Sequence, residues 1–102
     1  MGDAASQQRK RASALSGGDL SGQNVFAREE WQTLTEALGL SPRESSVVRS
    51  VFDGASEKAI AEQLGLSPHT VHTYLWRIYR KLHVRSREEL LVRVFAEFRA
   101  CF

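Results

Sequence analysis

Residues 56–82, SEKAIAEQLGLSPHTVHTYLWRIYRKL, decide the fold of this chain. They predict a short helix, a tight turn at Gly65 and a longer helix that begins after Ser67. Glycine adopts a positive φ without strain, and a serine followed by a proline suits the first positions of a helix. Ala61 lies about one turn before Gly65, where a small side chain lets the second helix cross the first closely. The stretch therefore predicts two helices packed across a glycine turn.

The longer helix, predicted over residues 68–82, has two chemically different faces. Its apolar residues recur at the spacing of one helical face and predict burial; they are Val71, Leu75, Ile78 and Leu82. The opposite face carries polar, aromatic and basic side chains, namely His69, His72, Thr73, Trp76, Arg77 and Arg80. Two helices joined by a short glycine turn, with such a face on the second, are typical of a helix-turn-helix DNA-binding motif.

Each polar residue of this motif suits a particular group on DNA. We expect base contacts from the outer face of the longer helix, through His69, His72, Thr73, Trp76 and Arg77. We expect phosphate contacts around the free amides and positive dipole at its start and along its flanks, through Lys58, Ser67, Thr70, Arg80 and Lys81. Among these residues, Arg77 is the best candidate for a bidentate contact to guanine. Thr70 has a competing interpretation as an intrahelical hydrogen-bonding residue, and Trp76 as a residue that folds over the preceding helix or leans on a neighbouring protein.

The charge distribution agrees with a DNA-binding surface. The chain has 102 residues and a formal net charge of +2, which alone says little about nucleic acid. Between Gln63 and Arg87 there is no Asp or Glu, although all three histidines and several cations lie in that segment. A local cationic face of this kind indicates phosphate binding, and an ordinary solvated face is the alternative.

Capping motifs place the helix-turn-helix inside a larger helical unit. Ser41, with Pro42 after it and Glu44 three residues on, matches a capping box that starts one helix. Ser86, with Glu89 three residues on, matches a second box that starts the last helix. We therefore predict an all-α fold, in which residues 40–102 form a four-helix domain.

The last helix carries more apolar residues than one face packed against the domain core can bury. Leu90, Leu91, Val92, Val94, Phe95, Phe98 and Phe102 cover most of its circumference. Apolar surface in excess of the core usually marks an interface. We therefore expect a homodimer whose contact includes Leu91, Val94, Phe95, Phe98 and Phe102.

Two segments precede the four-helix domain. Residues 1–23 are rich in Ala, Ser, Gly and Gln and predict a disordered tail. Its basic run at 9–11 is either a DNA-contacting arm or part of a solvated tail. Residues 24–39 predict a linker containing an extra amphipathic helix over 25–38, with Trp31 on its apolar face. The partner of that face is the helix-turn-helix domain, a sister subunit or a missing upstream domain.

With these elements in place, the chain resembles the LuxR-type (GerE-like) helix-turn-helix domain of bacterial transcription regulators. The matching positions run without gaps from Leu40 to about Val94 and include Ser41-Pro42-Arg43-Glu44, Gly54, Ile60-Ala61-Glu62-Gln63-Leu64, Ser67, Thr70-Val71, Ile78, Lys81-Leu82, Val84 and Ser86-Arg87. The resemblance implies a four-helix DNA-binding domain. Its third helix, residues 68–82 here, enters the major groove, and its fourth often forms the dimer contact.

The helix-turn-helix departs from the pattern of that family at several positions, most of them on the longer helix, which would read the DNA bases. After the Thr-Val pair the family often has a lysine, a small residue and a histidine, where this chain has His72, Thr73 and Tyr74. Trp76 stands where polar or basic groups are usual, and Ala59 stands where an acid usually follows the lysine. The resemblance therefore supports DNA binding in general, whereas the preferred base sequence cannot be carried over.

Other functional classes find little support in the sequence. No nucleophile–base pair, phosphate loop or metal-ligand spacing is present, so we predict no enzyme activity, cofactor or metal site. The single cysteine, Cys101, and the lack of a signal or membrane-spanning run predict a cytoplasmic protein without membrane contact. The family resemblance implies that this cytoplasm is bacterial and that the protein is nucleoid-associated when bound to DNA.

The expected partners are double-stranded DNA and a second copy of the chain, with RNA polymerase or another regulator as further candidates. The competing hypothesis is an interaction module that keeps the fold and pairs with a larger regulator, without strong DNA binding of its own. Met1 favours a free-standing regulator over a fragment that lacks its sensor domain.

Overall fold

The computed structural model describes residues 25–102 and confirms an all-α fold. Within this range it contains no strand, and its helices are α1 (Arg28–Ala37), α2 (Pro42–Phe52), α3 (Glu57–Leu64), α4 (Pro68–Leu82) and α5 (Arg87–Cys101). The predicted disordered tail at 1–23 and its basic run lie outside the described residues.

Serine caps start the four helices that follow α1. Each serine hydroxyl accepts a hydrogen bond of 3.1 Å from the backbone N–H three residues later, at Ser41, Ser56, Ser67 and Ser86. At the first of these, the Glu44 carboxylate accepts from the N–H of Ser41 at 2.8 Å, which completes the predicted capping box. At the last, the Glu89 carboxylate accepts from the N–H of Arg85 instead of Ser86, at 3.0 Å. In the second capping box, the bond to the Glu89 side chain therefore comes from the residue before the N-cap, and not from the N-cap itself.

The turn between α3 and α4 follows the prediction from glycine. Gly65 has a φ of 67° and ends α3 in the left-handed conformation. The N–H of Leu66 donates to the carbonyl of Ala61 at 2.9 Å, which closes the turn. Ala61 is itself buried, as expected of a small residue beneath a closely crossing helix. The two helices of the motif are thereby held at a short separation.

A single apolar core joins all five helices. It includes the predicted stripe of α4 and residues of every other helix, and its members are Phe26, Trp31, Leu34, Leu38, Val47, Val48, Val51, Ile60, Ala61, Val71, Leu75, Ile78, Leu82, Leu90 and Val94. The helix-turn-helix is thus supported from behind by α1, α2 and α5. Within the described part of the chain, no helix is long and apolar enough to cross a membrane.

Helix α1 packs mainly against α5 of its own four-helix domain, which is one of the three partners left open by the sequence. Helix α1 begins at Arg28, whereas the sequence predicted a start at residue 25. The reason is that Ala27 has an extended backbone and donates its N–H to the Glu30 carboxylate at 2.6 Å. The Thr35 hydroxyl also hydrogen-bonds the buried Ser45 hydroxyl of α2 at 2.6 Å. The apolar face and one polar contact therefore attach α1 to its own chain.

An aromatic cluster fills the space between α1, α2 and α5. The ring of Phe26 lies 5.1 Å from that of Trp31, 4.7 Å from that of Phe98 and 5.3 Å from that of Phe95, measured between centroids. Phe52 contributes a further ring at 5.5 Å from Phe26. Centroid separations in this range are those of favourable aromatic pairs. Part of the apolar excess of α5 is therefore covered by residues that precede the domain.

Val94, which the sequence predicts in the dimer contact, lies in the core of its own chain. Its side chain is 0% exposed and belongs to the core, as does that of Leu90 one turn earlier. The helical spacing of these two residues places them on the face of α5 that packs inward. Leu91 and Phe98 are half-buried against the core, while Phe95 and Phe102 remain exposed. The accessible apolar surface of α5 is accordingly smaller than the sequence suggested.

Candidate nucleic-acid interface

The outer face of α4 is accessible along its length. His69, His72, Trp76, Arg77 and Arg80 are exposed and Thr73 is half-buried, opposite the buried stripe of the same helix. Trp76 is 56% exposed, so it does not fold over the preceding helix. The structure thus brings the predicted base-contacting residues together on one convex surface.

Trp76 and Arg80 form a stacked pair on this face. The guanidinium carbon of Arg80 lies over the Trp76 ring, 5.0 Å from its centroid. A guanidinium in this position is attracted by the ring and loses less hydration than an ammonium would. The pair restrains both long side chains, so that Arg80 presents its charge at a defined place on the helix.

His72 is bonded to an acid on the neighbouring helix. Its Nδ1 lies 3.2 Å from Oε1 of Glu57, the first residue of α3. The sequence did not indicate this contact, because the two residues are separated by 15 positions. It depends on how closely α3 and α4 cross. The histidine is therefore oriented by a group outside the reading helix.

The start of α4 combines two hydroxyls with the positive end of the helix dipole. Ser67 Oγ and Thr70 Oγ1 lie 2.8 Å apart, and Ser67 also accepts from the N–H of Thr70. One turn later, the Thr73 hydroxyl donates to the carbonyl of His69 at 3.1 Å. An anion placed at this helix end would meet the two hydroxyls and the positive end of the helix dipole, because Pro68 has no N–H and the N–H groups of Thr70 and Val71 already donate to Ser67.

Lys81 is linked to a buried acid behind the reading face. Its Nζ donates to Oε1 of Glu44 at 2.7 Å and to the carbonyl of Gly39 at 3.0 Å. Burial alone would raise the pKa of Glu44, but the hydrogen bonds from Lys81 and Ser41 and the lysine charge lower it below its ordinary value. Lys81 is 40% exposed and its charge is already partly compensated.

Lys58 is also exposed, near the start of α3, so an accessible cation lies on the helix that precedes α4. The segment between Gln63 and Arg87 contains no acid of its own. In the structure, however, Glu44 of α2 bonds to Lys81 in that segment, and Glu57 of α3 bonds to His72. Within residues 25–102, no group of three or more His, Cys, Asp or Glu side chains is placed to hold a metal ion. The surface is suited to binding a polyanion through a few separate contacts.

The family model for bacterial regulatory proteins of the luxR family matches residues 38–94, more than half of the chain. The chain belongs to the LuxR family. The match contains α2, α3 and α4 completely and ends at Val94 within α5. The aromatic contacts made by Phe26, Trp31 and Phe98 therefore involve residues outside the region that defines the family.

Curated relatives of this LuxR-family domain are named as transcriptional regulators or as response regulators. The transcriptional regulatory protein DesR of Bacillus subtilis is 36% identical over 75 residues, covering 72% of this chain and 38% of DesR. A Mycobacterium tuberculosis protein described as an HTH-type transcriptional regulator is 48% identical over 52 residues, which are 51% of this chain and 6% of that protein. The response regulator UvrY of Escherichia coli is 36% identical over 62 residues, or 61% of this chain and 28% of UvrY.

The chain thus spans well under half the length of these relatives, so their similarity concerns the helix-turn-helix region. No solved structure matches the chain.

Proposed function

We propose that this chain is a sequence-specific DNA-binding transcription regulator, or the DNA-binding domain of one, with α4 in the major groove. The observation that carries the proposal is the outer face of α4, where accessible hydrogen-bonding and cationic side chains lie opposite a fully buried stripe. An α-helix fits the major groove of B-DNA, where each base pair presents a distinct pattern of donors and acceptors. Membership of the LuxR family supports the same function.

The residues of the face divide into two roles. We assign base contacts to His69, His72, Thr73, Trp76 and Arg77, which lie along the exposed side of α4. Phosphate contacts are assigned to Lys58, Ser67, Thr70 and Arg80, with a smaller share for Lys81 because Glu44 already binds its ammonium group. Arg77 suits guanine, since its planar fork can donate to O6 and N7 together.

Two copies of the chain acting on a two-fold-symmetric site complete the proposal. Phe95 and Phe102 expose 45% and 61% of their surface on α5, and Leu91 and Phe98 are partly exposed beside them. An apolar patch shared between two protomers would remove these rings from water. Each dimer would then read two half-sites separated by about one turn of DNA.

Fluorescence anisotropy with duplexes selected from a random pool tests the proposal. Four cations in the dimer, Lys58 and Arg80 from each protomer, predict that affinity falls about a hundredfold between about 50 and 200 mM salt. Selected duplexes are expected to share two half-sites and to bind more tightly than scrambled duplexes of the same composition. A chain that binds no duplex in a salt-dependent manner at low ionic strength would overturn the proposal.

The alternative function is an interaction module that pairs with a larger regulator. The observation that favours it is the exposed Trp76, combined with the partial compensation of Lys81 by Glu44. Aromatic side chains exposed on a surface are common anchors of protein interfaces. Size-exclusion chromatography separates the two functions, because a module would form a stable hetero-complex with a full-length regulator and bind DNA weakly alone.

A further inference from the structure

A carboxylate at the start of α3 holds one side chain of the proposed reading face. Glu57 is the first residue of α3, and its Oε1 lies 3.2 Å from Nδ1 of His72 in the second turn of α4. The two side chains are 43% and 63% exposed, so the pair lies at the surface and the far side of the imidazole is open to solvent. The arrangement leaves Nε2 of His72 as the ring nitrogen available to a ligand.

The chemistry of the pair determines which role that nitrogen has. An ionised carboxylate only accepts hydrogen bonds, so Nδ1 of His72 must carry the hydrogen that lies between them. In a neutral imidazole one nitrogen donates and the other accepts, and the partner of one fixes the role of the other. In the neutral ring of His72, Nε2 is therefore an acceptor. A carboxylate in the first turn of a helix, where Glu57 lies, also interacts favourably with the positive end of the helix dipole.

We propose that Glu57 acts as a positioning residue, which makes His72 select adenine or cytosine in the major groove. In that groove the N6 group of adenine and the N4 group of cytosine donate hydrogen bonds, whereas guanine and thymine present acceptors. An acceptor at Nε2 pairs with the first two bases and meets an unfavourable acceptor on the others. The inference rests on the proposed function, because it requires α4 to lie in the groove.

The tautomer is measured first, on the full chain without DNA. Long-range nitrogen–proton NMR spectra, recorded about two pH units above the ordinary histidine pKa of about 6.5, distinguish the two neutral tautomers. We expect His72 to carry its hydrogen on Nδ1, and the Glu57→Ala variant to lose this preference. The His72→Gln variant assigns the resonances among the three histidines. A wild-type His72 protonated mainly on Nε2 would overturn the inference.

Base preference is measured next, by selecting duplexes from a random pool with each variant. The wild type is expected to enrich adenine or cytosine at one position of each half-site, and replacement of His72 by alanine identifies that position. In Glu57→Ala, discrimination against guanine there is expected to fall about fivefold, the effect of one hydrogen bond. His72→Lys, which can only donate, is expected to shift the preference toward guanine.

Glu62→Ala is the matched control, because Glu62 is an exposed acid on the same helix. It removes the same charge and is expected to leave the base preference unchanged. In the His72→Ala background, Glu57→Ala is expected to have no further effect on preference. Equal effects of Glu57→Ala and Glu62→Ala would mean that only long-range charge matters, which contradicts the inference.

The outcomes separate this inference from the proposed function. Salt-dependent binding of selected duplexes without any preference for adenine or cytosine at the His72 position overturns the inference alone. Loss of all salt-dependent duplex binding overturns both, since His72 then reads no base.

Discussion

Lys81 near the end of α4 and Glu44 in the first turn of α2 form an ion pair with 2.7 Å between Nζ and Oε1. The same carboxylate oxygen accepts the N–H of Ser41 at 2.8 Å, so one acid both starts α2 and holds the far end of the reading helix. Glu44 is 7% exposed, although it is charged. Its two partners make this burial tolerable, because buried charges require pairing and hydrogen bonds.

Replacing Glu44 with alanine should destabilise the fold. The variant loses a capping acceptor and the partner of Lys81, and we expect the free energy of unfolding to fall by about 2 kcal/mol. Urea unfolding followed by circular dichroism measures this change. Glu62→Ala, which removes an exposed acid from α3, should change stability by less than about 0.5 kcal/mol. Equal effects of the two substitutions would show that the buried pair adds no stability.

The same acid should make stability depend on pH. Burial would raise the pKa of Glu44, but the hydrogen bonds from Lys81 and Ser41 and the lysine charge hold it below its ordinary value in the folded state. The ionised form therefore stabilises the fold fully above the unfolded pKa, and this contribution is lost as pH falls through the folded pKa. Between about pH 5 and about pH 3, the wild type should lose more stability than Glu44→Gln. Parallel urea-midpoint curves for the two proteins would contradict this expectation.

Truncation of the two tryptophans should destabilise the fold to very different extents. Trp31 is 3% exposed in the aromatic cluster, and Trp31→Ala should lower the free energy of unfolding by about 3–5 kcal/mol. Trp76 is 56% exposed and stacks only on Arg80 in the ring contacts described, so Trp76→Ala should lower it by less than about 1 kcal/mol. Thermal unfolding measures both. A large loss in Trp76→Ala would mean that its ring supports the fold.

Base and phosphate contacts should be separable by their salt dependence. Lys58→Ala should weaken binding to all duplexes alike and reduce the slope of log affinity against log salt by about 1 per cation lost. Arg77→Ala should cost about 1–3 kcal/mol on the preferred duplex and relax discrimination at one base pair. Anisotropy titrations at several salt concentrations measure both effects. Identical behaviour of the two variants would contradict the assigned division of roles.

The exposed rings of α5 should promote self-association. Phe102→Ser removes a ring that is 61% exposed, and we expect it to shift the chain toward the monomer in sedimentation equilibrium. It should also weaken binding to a duplex with two half-sites more than binding to a single half-site. Trp76→Ala, a similarly exposed aromatic change on α4, serves as the control for the measurement of self-association alone, because Trp76 is itself assigned a base contact. An unchanged association constant in Phe102→Ser would exclude this part of α5 from the interface.

Local sequence was sufficient for the helix boundaries of the domain and for the position of the turn. A serine cap acts on an amide three residues away, and Gly65 acts at its own φ, so neither depends on distant parts of the chain. The buried stripe of α4 was predictable for the same reason, because Val71, Leu75 and Ile78 repeat with the helical period. The caps, the turn and the buried stripe were enough to infer the family resemblance and the polar face of α4.

Contacts between helices were decided only by the tertiary structure. The Glu57–His72 and Glu44–Lys81 pairs span 15 and 37 positions, and each requires a particular crossing of two helices that no local pattern specifies.

The amount of apolar surface on α5 was evident from its residues, but the residues that cover each part of this surface were not. Val94 is buried in the core, and the ring of Phe26 packs against that of Phe98. Which neighbour buries an apolar side chain depends on which parts of the chain the close-packed fold brings together. The sequence by itself thus determined which segments form helices and which face of α4 is polar. The fold decided which charges on that face are compensated and how much of α5 remains for a partner.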